Sequence, residues 1–281
     1  MNPVYRKRLF MHRVGMALSV AAMSIGLIAL LWILATLLIK GFSAINLNMF
    51  LVDTPAAGTE GGGLRNAIVG SLLMVGVATF VSTPIGILAG TYLAEYGEES
   101  KLAQLTRFVT DVMLSAPSIV IGMFVWALYV DTAKHFSGYA GSLALALIAI
   151  PVVVRTTDNM LKLVPNSLLE AAYALGAPRW KVALTIRLRA VKAGVVTGVL
   201  LAVARITGET APLLFTALNN QFFSADMNRA MASLPAVMNQ FAMSPFDNWR
   251  DLAWGGALLV TFSVLALNIL SRTVFAQKAP K

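Results

Sequence analysis

The sequence predicts an all-α polytopic membrane protein with six transmembrane helices and both termini in the cytoplasm. Three observations predict it. The 281 residues are 58% hydrophobic and only 12% charged, about half the charge of a soluble domain. Runs of about 20 apolar residues recur, the length a helix needs to cross a bilayer. Lys and Arg gather in alternate connecting segments, which orients the spans. Counting span ends with the segments they adjoin, the cytoplasmic side collects fifteen of the 22 basic residues and the periplasmic side five, and Arg155 and Arg205 lie deep inside spans. That bias accounts for the net charge of +9, so nucleic acid is not expected as a partner. A β-barrel would show short alternating segments instead. There is no cysteine, hence no disulfide or thiol chemistry. His12 and His135 lie far apart in sequence, and no metal site is expected.

Residues 1–15 form a cytoplasmic N-terminus carrying Arg6, Lys7, Arg8 and Arg13. Span one covers 16–40. Its apolar run exceeds the 7–15 residues of a cleaved signal peptide, so it reads as a retained helix. Residues 41–64 are a polar periplasmic loop with a flexible Gly61-Gly62-Gly63 turn. Span two covers 66–93, with Pro84 and Gly86 as kink points, and a short cytoplasmic loop follows. Span three covers 108–130, with Asp111, Ser115 and Pro117 near its cytoplasmic end. Span four covers 141–163 and contains Pro151, Arg155 and Asp158. Residues 164–192 form a basic cytoplasmic loop. Span five covers 193–218 and contains Arg205, Gly208, Glu209 and Pro212. The periplasmic loop 219–250 includes an amphipathic helix over 226–241, interrupted at Pro235. Span six covers 252–271, and residues 273–281 are a cytoplasmic tail. Residues 65–272 make one core unit.

The basic loop carries the stretch EAAYALGAPRWKVALTIRL, Glu170 to Leu188. Ser167 and Glu170 have the spacing of a capping box, which starts a helix there. Gly176 and Pro178 end it, because Gly accepts the left-handed cap and Pro cannot continue the ladder. A second helix begins near Trp180.

Two arginines lie inside spans, each with an acid on the same helix. Arg155 and Asp158 are three apart, and Arg205 and Glu209 four apart, spacings that share a helix face. Each Arg costs about 2.5–3.5 kcal/mol at a span's centre, and such residues mark pathways. A guanidinium is always charged and fits a tetrahedral oxyanion through paired N–H groups. Thr207 and Thr210, with Thr156 and Thr157, add hydroxyl donors. The carboxylates lower the net positive charge and accept a hydrogen bond from a protonated oxyanion, which sulfate cannot donate at neutral pH. The substrate-pathway candidates are therefore Arg155, Asp158, Arg205, Thr207, Glu209 and Thr210. The alternative is two intrahelical salt bridges that only hold the bundle together.

Glu-Ala-Ala, a Gly six residues after the Glu, and Ile-x-Leu-Pro form the signature of ABC-importer permeases. This chain resembles it at Glu170, Ala171, Ala172, Gly176, Ile186 and Leu188, with Arg189 in place of the final Pro. The stretches Pro151–Leu161, Leu200–Phe223 and Phe241–Leu258 are similar to the permease subunits of bacterial phosphate ABC importers. The resemblance implies a type I importer permease fold in the bacterial inner membrane. It implies that Glu170, Ala171, Ala172, Leu175 and Gly176 dock on a cytosolic ATPase, and that the cargo is inorganic phosphate. The implied partners are a homologous permease in a heterodimer, two ATPase subunits and a periplasmic phosphate-binding protein. ATP and Mg belong to the ATPase, since no G-x-x-x-x-G-K-[ST] loop occurs here. No catalytic residues are expected. Alternatives are a permease for another oxyanion, an ATP-independent anion transporter or channel, and a non-transporting membrane scaffold.

Overall fold

The computed structural model describes residues 3–97 and 100–274, and every regular element among them is helical. Helix α1 runs from Pro3 to Ala44, so the first span continues through most of the expected N-terminal tail. Helix α2 is Asn48–Leu51 and α3 is Arg65–Tyr96, with Pro84 inside it. Next come α4, Lys101–Ser115, and α5, Ser118–Ala133. Helix α6 is Gly138–Leu161, α7 is Asn166–Ala174, α8 is Arg179–Ala190 and α9 is Lys192–Thr207. Three more follow: α10 Ala211–Thr216, α11 Leu234–Ala242 and α12 Asp247–Val274. By length and composition α1, α3, α6 and α12 can each cross a membrane alone, and two bent pairs raise the number to six.

The bent pairs depart from the expected straight spans. Helices α4 and α5 meet at 108°. Ala116 is extended and Pro117 follows. A residue before Pro avoids the helical region, and Pro has no N–H for the ladder. Residues 108–115 therefore belong to α4, and only α5 continues the third span. Helices α8 and α9 meet at 76°. The fifth span is not one helix to residue 218: α9 stops at Thr207, and α10 begins after a break at 208–210. Pro235 starts α11 instead of interrupting a helix over 226–241, because its missing N–H costs nothing in a first turn. Helix α12 begins at Asp247, before the expected 252. The expected tail beyond residue 274 lies outside the described residues, as do Met1, Asn2, Glu98 and Glu99.

Helix α6 is the axis of the bundle, packing on α3, α4, α5, α9 and α10. Its Leu145, Ile148 and Val153 are buried with Met74 of α3, Ile206 of α9 and Leu213 of α10. The α3–α6 pairing is the most extensive. It depends on Gly86 and Gly90, whose Cα atoms face Val153 and Thr157 with no room for a Cβ. Small residues four apart let membrane helices approach closely. A second core joins α2, α11 and α12, where the rings of Phe241 and Trp249 stack 4.3 Å apart. Helix α1 packs on α12 near its own end, through Gly41 on Leu258 and Phe42 near Phe262. Most of its other apolar side chains are exposed.

Candidate functional site

The two intramembrane arginines occupy different surroundings. Residues three apart on a helix point about 60° apart, and here that difference separates Arg155 from Asp158. Arg155 is half-exposed and donates through Nη1 to Asp111 Oδ1 of α4, 3.0 Å away. Asp158 is 1% exposed. Its Oδ2 takes Lys162 Nζ at 2.7 Å and sits 3.5 Å from Arg107 Nη2 of α4. The expected Arg155–Asp158 pair is thus replaced by two ion pairs to α4 and one to Lys162, the C-cap residue of α6. Helix α4, turned aside by the break at Pro117, supplies the competing partners.

Arg205 and Glu209 remain together. Arg205 Nε lies 3.9 Å from Glu209 Oε1, an ion pair but too long for a hydrogen bond. The guanidinium is half-exposed, so its donors stay available. Glu209 and Thr210 fall in the break between α9 and α10. Thr210 lines a cavity of about 490 Å³ together with Met238, Asn239, Arg250 and Trp254. Thr207 is less available, because its hydroxyl donates to Val203 O of its own helix at 2.7 Å. The hydroxyl of Thr156 is likewise spent on Val152 O. Thr157 is buried against Gly90.

Helix α9 crosses α6 with Gly194 on Met160 and Gly198 on Thr156. Arg205 is seven residues past Gly198, so it stands about 10 Å further from the α7 end than Arg155 does. The structure places the two charges at successive depths, not in one cluster.

At the other end, α7 and α8 form a helix–turn–helix. Pro165, extended and preset in φ, lets α7 start at Asn166. Ser167 is therefore inside the helix and makes no capping box with Glu170. The turn closes as a Schellman motif: Gly176 N donates to Tyr173 O and Ala177 N to Ala172 O, with Gly176 at φ +76°. Helix α7 buries Ala172 and leaves Glu170, Ala171, Leu175 and Gly176 exposed, Leu175 by 89%. Tyr173 and Trp180 add to an apolar surface on the same turn.

The sequence model of the family described as "Binding-protein-dependent transport system inner membrane component" matches residues 82–281. This range holds both arginines and the whole helix–turn–helix. The chain belongs to this family.

Relatives in sequence agree along nearly the full length. A "Phosphate transport system permease protein PstA" of Pasteurella multocida is 58% identical over 278 residues, 99% of each chain. The protein of that name in Yersinia pestis is 55% identical, covering 95% of this chain and 90% of its own. A "PstA 1" of Mycobacterium tuberculosis is 32% identical, with 97% and 90% covered. In fold, the chain is similar to one from an inward-facing methionine ABC transporter, MetNI. That match has a TM-score of 0.62 at 17% identity and covers 76% of this chain and 95% of the other. The fold is therefore that of a type I importer permease. As a member of this family the chain is a membrane transport subunit working with an ATPase and a binding protein, and it is not itself an enzyme.

Sequence reasoning missed Glu95, Arg107, Asp111 and Lys162 as partners of the permease's charged residues. Lys162, four residues after Asp158, was legible from spacing. Asp111, 44 residues from Arg155, and Glu95, 92 residues from Arg187, carry no local signal. Among the described residues no group of three or more His, Cys, Asp or Glu could hold a metal ion.

Proposed function

We propose that this chain is one of two permease subunits of an ATP-driven importer carrying inorganic phosphate from periplasm to cytoplasm across the bacterial inner membrane. The observation that carries the reading is the end-to-end identity of 55–58% with phosphate permeases. The charged residues suit that cargo. Arg205 holds a guanidinium with unspent donors at a helix break. Glu209 beside it accepts the P–OH of hydrogenphosphate, a donor that sulfate lacks. Arg155, neutralised by Asp111, takes the anion next, about 10 Å nearer the cytoplasm. Pairing each cation with a carboxylate keeps the anion's hold weak enough for release.

A half-exposed Arg facing lipid would cost about 2.5–3.5 kcal/mol. The open faces at Arg155 and Arg205 therefore call for water and a covering protein, which supports a homologous permease as the other half of a heterodimer. Two ATPase subunits, which hold the ATP and Mg, dock on the two coupling loops, and a periplasmic phosphate-binding protein delivers the cargo. An exposed helix–turn–helix with Leu175 bare has no use in an ATP-independent channel.

The test is radiolabelled phosphate uptake by cells that depend on this chain. Unlabelled phosphate should compete, and a tenfold excess of sulfate should not. Sulfate competing equally would transfer the assignment to another oxyanion. Glu170→Lys should leave membrane levels intact and abolish uptake by reversing charge on the docking surface. Gly176 tests the turn separately. A Cβ there meets nothing within 4 Å, so only its positive φ opposes substitution, at about 1–2 kcal/mol. Gly176→Val should reduce the ATPase co-purified with the chain, while Gly176→Asn, which tolerates that φ, should retain it. Equal recovery from both variants would show that the turn's geometry is not what the ATPase reads.

A further inference from the structure

Arg187 sits between Ile186 and Leu188 in the last turn of the π-helical stretch Val182–Arg187 within α8. It is only 8% exposed. Its Nε donates to Leu161 O, the last residue of α6, at 3.1 Å. Its Nη1 donates to Glu95 Oε1 at 2.7 Å and to Ala94 O at 3.4 Å, both in the last turn of α3. One guanidinium therefore caps the C-terminal carbonyls of two spans and pairs with a carboxylate that is itself 15% exposed. Carbonyls in a helix's last turn lack partners within the helix, and a cation there opposes the negative end of the dipole. A lysine, with one compact ammonium, cannot span these three acceptors.

The packing around this contact is sparse. A cavity of about 400 Å³ lies on one side, lined by Glu95, Arg107, Lys162, Asn166 and Arg187. Another of about 160 Å³ separates the last turns of α3 from Trp180 and Leu184 of α8. A third, of about 360 Å³, lies between Ile87 of α3 and Leu184, Leu188 and Val195. Interiors transmit displacement when they are close-packed. Here α8 approaches α3 across gaps, and the polar link through Arg187 bridges them.

We propose that Arg187 is a positioning residue for transport, with Glu95 as its counter-ion. It couples displacement of the ATPase-docking loop to the ends of α3 and α6, the helices whose packing forms the core beneath Arg155. The inference rests on the coupling reading above. It makes Arg187 a joint: without it the docking loop still binds the ATPase through α7 but moves without carrying the spans.

The test uses the assembled complex, purified through a tag on this chain and reconstituted in liposomes with the ATPase side facing enclosed ATP, and with phosphate and the phosphate-binding protein supplied outside. Phosphate delivered and ATP hydrolysed are measured together. In Arg187→Met, ATP hydrolysis should persist while phosphate moved per ATP falls by about fivefold or more, the size of an ordinary coupling free energy. Arg187→Lys, which restores the Glu95 pair alone, should recover part of the ratio. Glu95→Gln, which keeps both carbonyl bonds, should fall between the wild type and Arg187→Met. A wild-type ratio in Arg187→Met overturns the proposal, as does a loss of uptake and hydrolysis in equal proportion, which marks a structural role. If Arg187→Met fails to assemble, Glu95→Gln decides, and an unchanged ratio there overturns the proposal. A wild-type complex that shows no phosphate-dependent hydrolysis at all would instead sink the importer reading, and this inference with it.

Discussion

Replacing Arg205 with Gln is expected to cut phosphate uptake by about 10- to 150-fold, the worth of one or two hydrogen bonds to a charged group of about 1.5–3 kcal/mol, at an unchanged membrane level. Three features make this side chain the most exposed to such a change. It lies where α9 ends and the backbone breaks, so polar groups other than its own helix ladder are near. Its ionic neighbour among the described residues, Glu209, stands 3.9 Å away, which leaves its N–H donors for a passing anion. It is half-exposed. Gln keeps the length and some hydrogen-bonding ability but loses the charge and the forked donors. Glu209→Gln should act differently. It removes an acceptor for the protonated oxyanion, so uptake falls less than in Arg205→Gln while sulfate inhibition rises. The double variant should resemble Arg205→Gln alone. Uptake, competition by sulfate and immunoblots of the membrane fraction check all three. Normal uptake in Arg205→Gln would reduce the pair to a structural ion pair.

Gly90→Leu is expected to remove most folded protein from the membrane. A Cβ at Gly90 would lie 2.6 Å from Thr157 Cβ and 2.7 Å from Val154 O of α6, and one at Gly86 would lie 2.6 Å from Val153 Cβ. Two of these obstacles are β-branched side chains and the third is backbone, so none can swing aside. Overpacking of this kind costs about 1–3 kcal/mol even where neighbours yield, and a Leu adds three further carbons at the crossing. The damage would spread, because the C-terminal ends of both helices, just beyond this crossing, carry charges arranged by it: Asp158 with Arg107 and Lys162, and Glu95 with Arg187. Gly76→Leu is the control, since a Cβ there meets nothing within 4 Å. Detergent extraction followed by size-exclusion chromatography and thermal unfolding of a fluorescent fusion should show loss for Gly90→Leu and wild-type behaviour for Gly76→Leu. Equal recovery of the two would mean that α3 and α6 do not approach as closely as described.

Much of this architecture was legible in the residues themselves. The apolar runs marked α1, α3, α6 and α12 because backbone groups in a bilayer have no partner but their own helix. The turn at Gly176 was legible because a left-handed residue there needs glycine, and the ABC-permease signature around it matched the exposed helix–turn–helix. Arg205 with Glu209 was legible from spacing alone. The start of α7 was misplaced at Ser167 because Pro165 offered an earlier one. The third and fifth spans were drawn straight because hydropathy is insensitive to direction: residues on both sides of Pro117 and of Gly208 are apolar enough to belong to one span.

What the sequence determined by itself was therefore local and compositional: an all-helical membrane protein, its four straight spans, the turn at Gly176, and charge pairs within a single turn such as Arg205 with Glu209. What only the tertiary structure decided was which charges meet. Arg155 left Asp158 for Asp111, and Arg187, which reads as one more basic loop residue, is buried between the ends of α3 and α6. The physical reason is direction. Spacing along one helix says which residues can share a face, but a neighbouring helix that is turned through 108°, or drawn close by two glycines, can offer a nearer partner.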